Sequence, residues 1–283
     1  MIGEGEILAT VEKVVDWSPA DQTEALLFVS DSALTRFANS AIHQNVAERG
    51  IKLSIRIVVG KKIGGASTND IGDESIKDTL STAVAVAKNS TEDPDFRSLP
   101  EKMPLTELDS FIPATAGYSP EDRARAVLKM IEAASAKGLT TAGSHSIGVS
   151  AVGIANSLGV RAVSKLTLAN LSTIAMSKNS SGYAGFFSKG VREIDLELVA
   201  KIATDKALKS QNPVGLEPGV YTVILEADAV ADMLSTLAFM GLGALSVQEG
   251  RSFMCGKIGQ GIVGENITIL DDALSPETIG LPF

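Results

Sequence analysis

Residues 51–60, IKLSIRIVVG, decide the fold class, because apolar and polar side chains alternate along them. Successive side chains of a β-strand point to opposite faces of a sheet. Four large apolar side chains would therefore share one face: Ile51, Leu53, Ile55 and Ile57. The other face would carry three polar ones: Lys52, Ser54 and Arg56. The segment predicts a strand with one buried face and one polar face.

The segments around this strand show the same alternation. They are ALLFVS at 25–30, LTRFA at 34–38, AIHQNVAE at 41–48 and KKIGGAST at 61–68. We predict short strands joined by turns at SDS, RG and GKK. A second block of alternating residues spans 139–176, and its NSLG sequence at 156–159 is typical of a hairpin turn.

Apolar residues at helical spacing predict helices over residues 3–16, 73–90, 119–138 and 192–211. The third has the clearest ends, with Ser119 as N-cap, Pro120 at the first helical position and Gly138 as the stop. The pattern predicts an α+β fold, with helices on twisted, mostly antiparallel sheets. We find no internal repeat in the sequence.

The stretch NPVGLEPG at 212–219 is the best linker in the chain. We therefore predict an N-terminal domain over residues 1–211 and the start of a β-rich C-terminal domain over 212–283. In the second domain we predict a strand at VYTVILE, an apolar helix from about Ala227, and a final strand at ENITILDD.

Composition limits the classes of function. The formal charge of −9 opposes the phosphate contacts that drive nucleic-acid binding, so we expect no direct binding of nucleic acid. One cysteine cannot form an internal disulfide, and the N-terminal residues carry acids where a secretion signal carries bases, so we expect a cytoplasmic protein. The longest uncharged apolar run, at 233–247, is too short to span a bilayer, so we expect no membrane association.

Gly259, Gly261 and Gly264 have the spacing of a dinucleotide-binding fingerprint. That fingerprint requires a helix directly after the glycines, because the pyrophosphate binds at the helix N-terminus. The β-branched sequence NITIL follows instead. A glycine-rich loop is the better interpretation.

No metal or nucleophile motif is evident. His43, His145 and Cys255 lie far apart, and Asp228 and Asp232 fit the first turn of a helix. A zinc site built from one histidine and carboxylates remains the alternative. The sequence also lacks the Gly-x-Ser-x-Gly turn of serine hydrolases, and an isolated cysteine is more often a small buried apolar residue.

His43 lies in a run of polar residues, and alternation places it on the face opposite to Ile42 and Gln44. On the same reasoning, Arg36 shares a face with Leu34 and Ala38, and Asn39 shares one with Phe37. Two interpretations remain open. The histidine is a hydrogen-bonded residue on the polar face of a sheet, or it belongs to a strip that binds a peptide or a partner: Arg36, Asn39, His43 and Gln44.

Several stretches resemble the TldD/PmbA family, whose members are peptide-maturation proteins also called modulators of DNA gyrase. LTRFANSAIHQNVAERG at 34–50, followed by IRIVVGKKIGGAST at 55–68, is similar to the N-terminal signature of that family. Three further stretches follow in the family order: ANSLGV at 155–160, SGYAGF at 181–186 and LEPGVYTVILEADAVADML at 216–234. ILDDALSPETIGLPF, at 269–283, resembles a stretch that continues further in the family, which implies that this chain stops early.

The resemblance implies a branch as well as a family. TldD-like members are metallopeptidases with a His-Glu-x-x-x-His motif on the helix that matches ADAVADMLSTLAFMG, and this chain has no histidine there. It resembles the PmbA-like, or TldE, branch. That branch implies a non-catalytic subunit without catalytic or metal-binding residues, with zinc only in a TldD-like partner. The expected partners are that paralogue in a heterodimer, or a second copy in a homodimer, and a peptide substrate.

Overall fold

The computed structural model describes residues 2–106, 108–275 and 278–283. It divides into two compact units, one formed by residues 1–213 with 273–283 and the other by 214–272. The predicted α+β class is confirmed for the first unit, which consists of helices and a six-stranded antiparallel sheet. Within the described residues, no helix is both long enough and apolar enough to cross a membrane.

The sheet has the strand order β3-β2-β1-β4-β5-β6. Its strands are β1 (Gln22–Ala38), β2 (Ala41–Val59), β3 (Lys62–Thr68), β4 (Thr140–Asn156), β5 (Arg161–Met176) and β6 (Ser181–Ser188). The helices of this unit are α1 (Glu4–Trp17), α2 (Asp73–Asn89), α3 (Pro113–Ala116), α4 (Pro120–Ser135) and α5 (Leu196–Lys209). A short 3₁₀ turn, Val191–Glu193, precedes α5.

The strands β1 and β2 are longer than the sequence predicted, and the turns expected at SDS and RG are wrong. Asp31 and Arg49 oppose each other in the middle of the continuous β1–β2 ladder. Arg49 donates from Nε and Nη2 to the two Asp31 carboxylate oxygens, at 2.6 and 3.1 Å. The continuous ladder keeps both segments extended and this cross-strand pair adds to it, so local turn preference does not decide the backbone there.

The chain turns instead at Asn39 and Ser40, whose φ angles of 50° and 57° lie in the left-handed region. Asn39 is therefore not on the strand face with Phe37, which corrects the prediction from alternation. The hairpin expected at NSLG is confirmed. There the Asn156 side-chain oxygen accepts hydrogen bonds from the amides of Leu158 and Val160, at 2.9 and 3.0 Å.

The first unit contains a structural repeat that the sequence does not reveal. Its elements follow the order α1-β1-β2-β3-α2 and then α4-β4-β5-β6-α5, and β1 and β4 pair at the centre of the sheet. Each repeat has a glycine beneath an alanine pair on the helix. Gly64 of β3 lies against Ala83 and Ala87, and Gly182 of β6 lies against Ala203 and Ala207.

The helices cover one face of the sheet and form two separate cores. In the first repeat, α1 buries Ile7, Val11 and Val14, whose spacing places them on one side of the helix. In the second repeat, α4 buries Val127, Met130 and Ala134. The predicted N-cap of α4 is confirmed, because the Ser119 hydroxyl accepts a hydrogen bond from the Asp122 amide at 3.1 Å.

The unit formed by residues 214–272 contains α6 (Ala227–Leu237), a π-helical turn (Ala238–Leu242) and α7 (Ala244–Gln248). The helix expected from about Ala227 is confirmed. The two strands expected at VYTVILE and ENITILDD are wrong, because neither is paired in the part of the unit that the structure describes. A strand needs a partner to satisfy its backbone amides and carbonyls, and alternation in the sequence cannot supply one.

Candidate functional site

The candidate site lies at the outer edge of β2, where part of the strand has an open backbone edge. β3 pairs only with Leu53–Val59, so residues 41–52 of β2 have a neighbour on the β1 side only among the described strands. An unpaired edge offers a row of amides and carbonyls to an added strand.

In the second repeat, the equivalent strand edge is bonded to another segment of the chain. Ile57 opposes Gly64 as Ala175 opposes Gly182, so residues 161–168 of β5, which lie beyond β6, correspond to residues 43–50 of β2. In β5, the Thr167 amide donates to the Ser110 carbonyl at 2.9 Å, and the Ile112 amide donates to the Thr167 hydroxyl at 3.0 Å. The segment around Ser110 and Ile112 therefore covers this edge of the second repeat at Thr167. The corresponding edge of the first repeat is available.

Two of the four predicted strip residues meet on the sheet face that the helices leave uncovered. Arg36 of β1 opposes Gln44 of β2, and Arg36 Nη1 donates to Gln44 Oε1 at 3.3 Å. They line a shallow groove of about 230 Å³. Its other lining residues are Ser32, Leu34, Val46 and Glu48. The groove combines two apolar side chains with one charge of each sign.

His43 occupies a β-bulge. Arg36 pairs with Gln44 and Phe37 pairs with Ile42, so His43 is the extra residue between the two pairs. This interrupts the alternation on which its orientation was predicted, because a bulge redirects the side chain. His43 is exposed. Asn39 is also exposed, in the adjoining turn, so the strip divides into a groove pair and two residues at its end.

A buried polar cluster lies on the other face of the same strands, and sequence reasoning missed it. Arg123 of α4 is only 2% exposed. Its guanidinium donates to Thr35 Oγ1 at 3.2 Å, to the Tyr118 carbonyl at 3.3 Å and to Asn45 Oδ1 at 3.0 Å. Among the described residues, no carboxylate forms an ion pair with it. Burial lowers the pKa of Arg123.

His145 completes this cluster and is fully buried. Its Nδ1 lies 2.9 Å from the Asn170 carbonyl, and because a carbonyl only accepts, Nδ1 carries the proton. In the neutral ring Nε2 is then a bare acceptor, and it has no hydrogen-bond partner within the described residues. The Tyr118 ring packs edge-on against the imidazole, with ring centroids 5.6 Å apart.

Burial is the main cause that lowers the pKa of His145, and the nearby Arg123 charge lowers it further, while the hydrogen bond to Asn170 opposes both effects. Burial also raises the pKa of Tyr118. The cluster could have been suspected from one signal in the sequence. Arg123 stands four residues before Val127 and seven before Met130, which places a charged residue on the buried side of α4.

A second pocket, of about 350 Å³, lies on the helix-covered face near the centre of the sheet. The Asp31–Arg49 pair, Tyr118 and Ile147 are among its lining residues. The hydrogen bond from Arg49 is the main cause that lowers the pKa of Asp31. The strands β1 and β2 therefore border a groove on the uncovered face of the sheet and a pocket on the helix-covered face, and both are lined in part by polar residues.

The remaining candidates do not come together. Within the described residues, no three histidine, cysteine or acidic side chains are grouped closely enough to hold a metal ion. His43 is exposed and His145 is buried, and Cys255 is a half-buried thiol that donates to the Val247 carbonyl. Gly259, Gly261 and Gly264 lie in a stretch where the structure describes no helix after them.

Comparison with known proteins gives the family. The chain matches three domains described together: PmbA/TldA metallopeptidase domain 1 over residues 24–87, the central domain over 115–211 and the C-terminal domain over 218–282. An uncharacterised protein of Methanocaldococcus jannaschii is 40% identical over 80 residues, which are 28% of this chain and 18% of that protein.

Solved structures agree with the fold. A protein named as a modulator of DNA gyrase from Bacteroides thetaiotaomicron superimposes with a TM-score of 0.77 at 16% identity, over 92% of this chain and 62% of that one. TldE from Thermococcus kodakarensis superimposes with a TM-score of 0.72 at 17% identity, over 88% of this chain and 58% of that one. The chain therefore spans about three-fifths of the length of these structures. By the three domain matches, which together cover most of its residues, the chain belongs to the PmbA/TldD metallopeptidase family.

Proposed function

We propose that this chain is a PmbA/TldE-like, non-catalytic subunit of a TldD-type metallopeptidase assembly that processes peptides in the cytoplasm. Family membership supports the link to metallopeptidases. The absence of histidine from the α6 sequence supports a non-catalytic role, because a zinc-bound water needs ligands and a base held together on such an element.

The observation that carries the proposal is the open edge of β2. An extended peptide can add to such an edge through main-chain hydrogen bonds, and pockets for alternate side chains then supply selectivity. One set of peptide side chains would lie on the groove face, where Arg36 and Gln44 offer a cation and an amide. Leu34 and Val46 offer apolar contact beside them.

His43 and Asn39 would act at the end of the groove. The bulge exposes His43 between the Arg36–Gln44 and Phe37–Ile42 pairs, and the left-handed turn exposes Asn39 just after the last pair of the β1–β2 ladder. A bulge next to an open edge also limits how far an added strand can pair, because the ladder loses its regular spacing there. We therefore assign these two residues to setting the register of the peptide.

Partnership completes the proposal. Leader-peptide removal or degradation of unfolded segments would require zinc, which we assign to a TldD-like paralogue in a heterodimer. A homodimer of this chain would bind peptide without cleaving it.

Zinc content tests the non-catalytic role. The chain should be purified without chelator and without metal-affinity resin, and the zinc per chain should be measured by elemental mass spectrometry. We expect well below one zinc per chain. A value near one would support an active metallopeptidase with an unusual ligand set and would exclude the subunit role proposed above.

Peptide binding tests the β2 edge separately. The test uses the complex with a TldD-like paralogue that carries the His-Glu-x-x-x-His motif. In that complex, the double substitution Arg36→Ala and Gln44→Ala should weaken binding of a fluorescent unfolded peptide. The matched control is Glu24→Ala with Arg56→Ala, which removes another cross-strand pair of the same two strands, joined at 2.6 Å, away from the groove. Equal affinity of the two variants would rule out the groove as the peptide site.

A further inference from the structure

The two repeats also differ at the contact between their helices. In the second repeat, Lys137 joins α4 to α5 by donating to Thr204 Oγ1 at 2.8 Å and to Asp205 at 2.9 Å. Lys129 and Glu197 add a longer ion pair of 3.9 Å between the same helices. These bonds link α4 to α5 directly.

In the first repeat the space between the equivalent helices is open. Lys13 of α1 and Asp73 of α2 form an ion pair at 2.7 Å, and beside it lies a pocket of about 520 Å³. We call it the seam groove, and its lining residues are Trp17, Pro19, Lys77, Leu80, Ser81 and Val84. The two repeats can be aligned by matching Ile7 to Val127 and Val14 to Ala134. In this alignment, Trp17 occupies the position of Lys137, which bridges the helices of the second repeat.

The groove has one cation, Lys77, that forms no ion pair within the described residues. Its charge still acts at longer range on Asp73, one turn earlier on α2, where the hydrogen bond from Lys13 is the main cause that lowers the carboxyl pKa and Lys77 adds to it. The ammonium of Lys77 lies 5.0 Å from the centre of the Trp17 ring, within range of a cation–π contact. Lys13 lies 5.4 Å from the same ring, but Asp73 already neutralises it. Within the described residues, Lys77 has no carboxylate at ion-pairing distance. Lys77 thus presents an available positive charge to the groove.

The other walls of the groove are apolar or weakly polar. Leu80 and Val84 follow Lys77 at helical spacing, so the three side chains border the same side of α2. Ser81 adds a hydroxyl that can donate a hydrogen bond. A volume of 520 Å³ is within the range of small-ligand sites, about 300 to 1,000 Å³.

We propose that the seam groove binds the C-terminal residue of a peptide that ends in an aliphatic side chain. The carboxylate would pair with Lys77 and accept from Ser81, and the side chain would pack against Trp17, Leu80 and Val84. The groove lies open between two helices, so the rest of a longer peptide remains in solvent. The inference does not depend on the proposed function, because α1 and α2 take no part in the β2 edge.

Trp17 provides the test, since it is the chain's single tryptophan and its fluorescence reports on this groove alone. The full chain should be titrated with N-acetyl-alanyl-leucine and, separately, with the amide of the same dipeptide. We expect a saturable change in emission with the acid, with half-saturation near about 1 mM, and no saturation with the amide.

Lys77→Gln should weaken binding of the acid about tenfold, because the charge-assisted hydrogen bond is lost. Lys88→Gln removes an exposed lysine from the last turn of the same helix and should leave the affinity unchanged. Saturation by hexanoate but not by the dipeptide acid would overturn the assignment to peptides. Equal responses to acid and amide, or unchanged affinity in the Lys77→Gln variant, would overturn the site.

Discussion

Gly64 of β3 and Gly182 of β6 hold the same position in the two repeats, each directly beneath the backbone of the helix that covers its strand. A Cβ atom built on Gly64 would lie 2.2 Å from the amide nitrogen of Ala87, and one on Gly182 would lie 2.2 Å from the carbonyl oxygen of Ala203. Both distances are far shorter than a van der Waals contact. The helices α2 and α5 can approach the sheet this closely only over glycine.

We expect Gly64→Ala and Gly182→Ala each to lower the free energy of unfolding by about 3 kcal/mol, because the methyl group meets backbone that cannot move without displacing the helix. Urea unfolding followed by circular dichroism measures the loss. Gly65→Ala is the control, since its Cβ would lie 3.5 Å from the nearest atom, and we expect a change below about 0.5 kcal/mol. A similar loss in all three variants would contradict the close-approach explanation.

His145 should make the stability depend on pH in a window above the carboxyl range. Because the pKa of His145 is lowered in the folded protein, the unfolded chain binds a proton first, near pH 6.5, and the folded state loses stability as the pH falls below that value. The slope contributed by one group cannot exceed about 1.4 kcal/mol per pH unit.

His145→Gln should remove this slope below pH 6.5, measured as the free energy of unfolding at several pH values above the carboxyl range. Among the described residues, four carboxyls have a lowered pKa: Asp31, Asp73, Asp122 and Asp205. They lose their contribution to stability only when the pH falls below about 4. His43→Gln serves as the control, because that side chain is exposed. If the slope persists in His145→Gln and disappears in His43→Gln, the buried imidazole is not responsible.

Arg123 should influence the titration of its neighbour. Its charge is one of the causes that lower the pKa of His145, so Arg123→Met should raise that pKa. The imidazole proton signals in an NMR pH titration measure the shift directly. Arg125→Met is the control. The Arg125 side chain is exposed, two residues further along α4, so this substitution should leave the His145 pKa unchanged. A lower pKa in Arg123→Met would contradict the electrostatic explanation.

The α4 cap should have an ordinary cost. Ser119→Ala removes the acceptor for the Asp122 amide and should destabilise the protein by about 1 kcal/mol. Thr82→Ala removes a hydroxyl that only donates to the Asp78 carbonyl inside α2, and it should leave stability the same or slightly higher. Thermal unfolding of both variants under one condition gives the comparison. An equal loss of stability in both variants would show that the capping hydrogen bond does not stabilise the protein more than an ordinary helix hydroxyl does.

Much of the fold could be predicted from local pattern. Alternation at residues 51–60 and helical spacing in α1, α2, α4 and α5 specify elements, because burial of one face requires those periods. The length of β1 and β2 could not be predicted in the same way. The SDS and RG segments are extended because β1 and β2 pair along their whole length, and that pairing joins residues, such as Asp31 and Arg49, that are distant in sequence.

The sequence predicted only part of the candidate site, for a similar reason. Arg36 and Gln44 oppose each other as strand pairing allows, but the bulge at His43 depends on the register between two strands. The cluster around Arg123 and His145 joins α4, β1, β2 and β4, and no single segment contains its pattern. The repeat was missed because its two halves share geometry and a glycine beneath alanines rather than a recognisable sequence.

The pairing of β1 with β4 at the middle of the sheet has a consequence for each repeat taken alone. A single repeat would present one of these strands, 17 residues long, as a bare margin with an unsatisfied row of amides and carbonyls. Its natural complement is the other repeat. Joining both in one chain makes that association intramolecular, so the two halves meet at the effective concentration set by the tether and need less intrinsic affinity than two separate chains would.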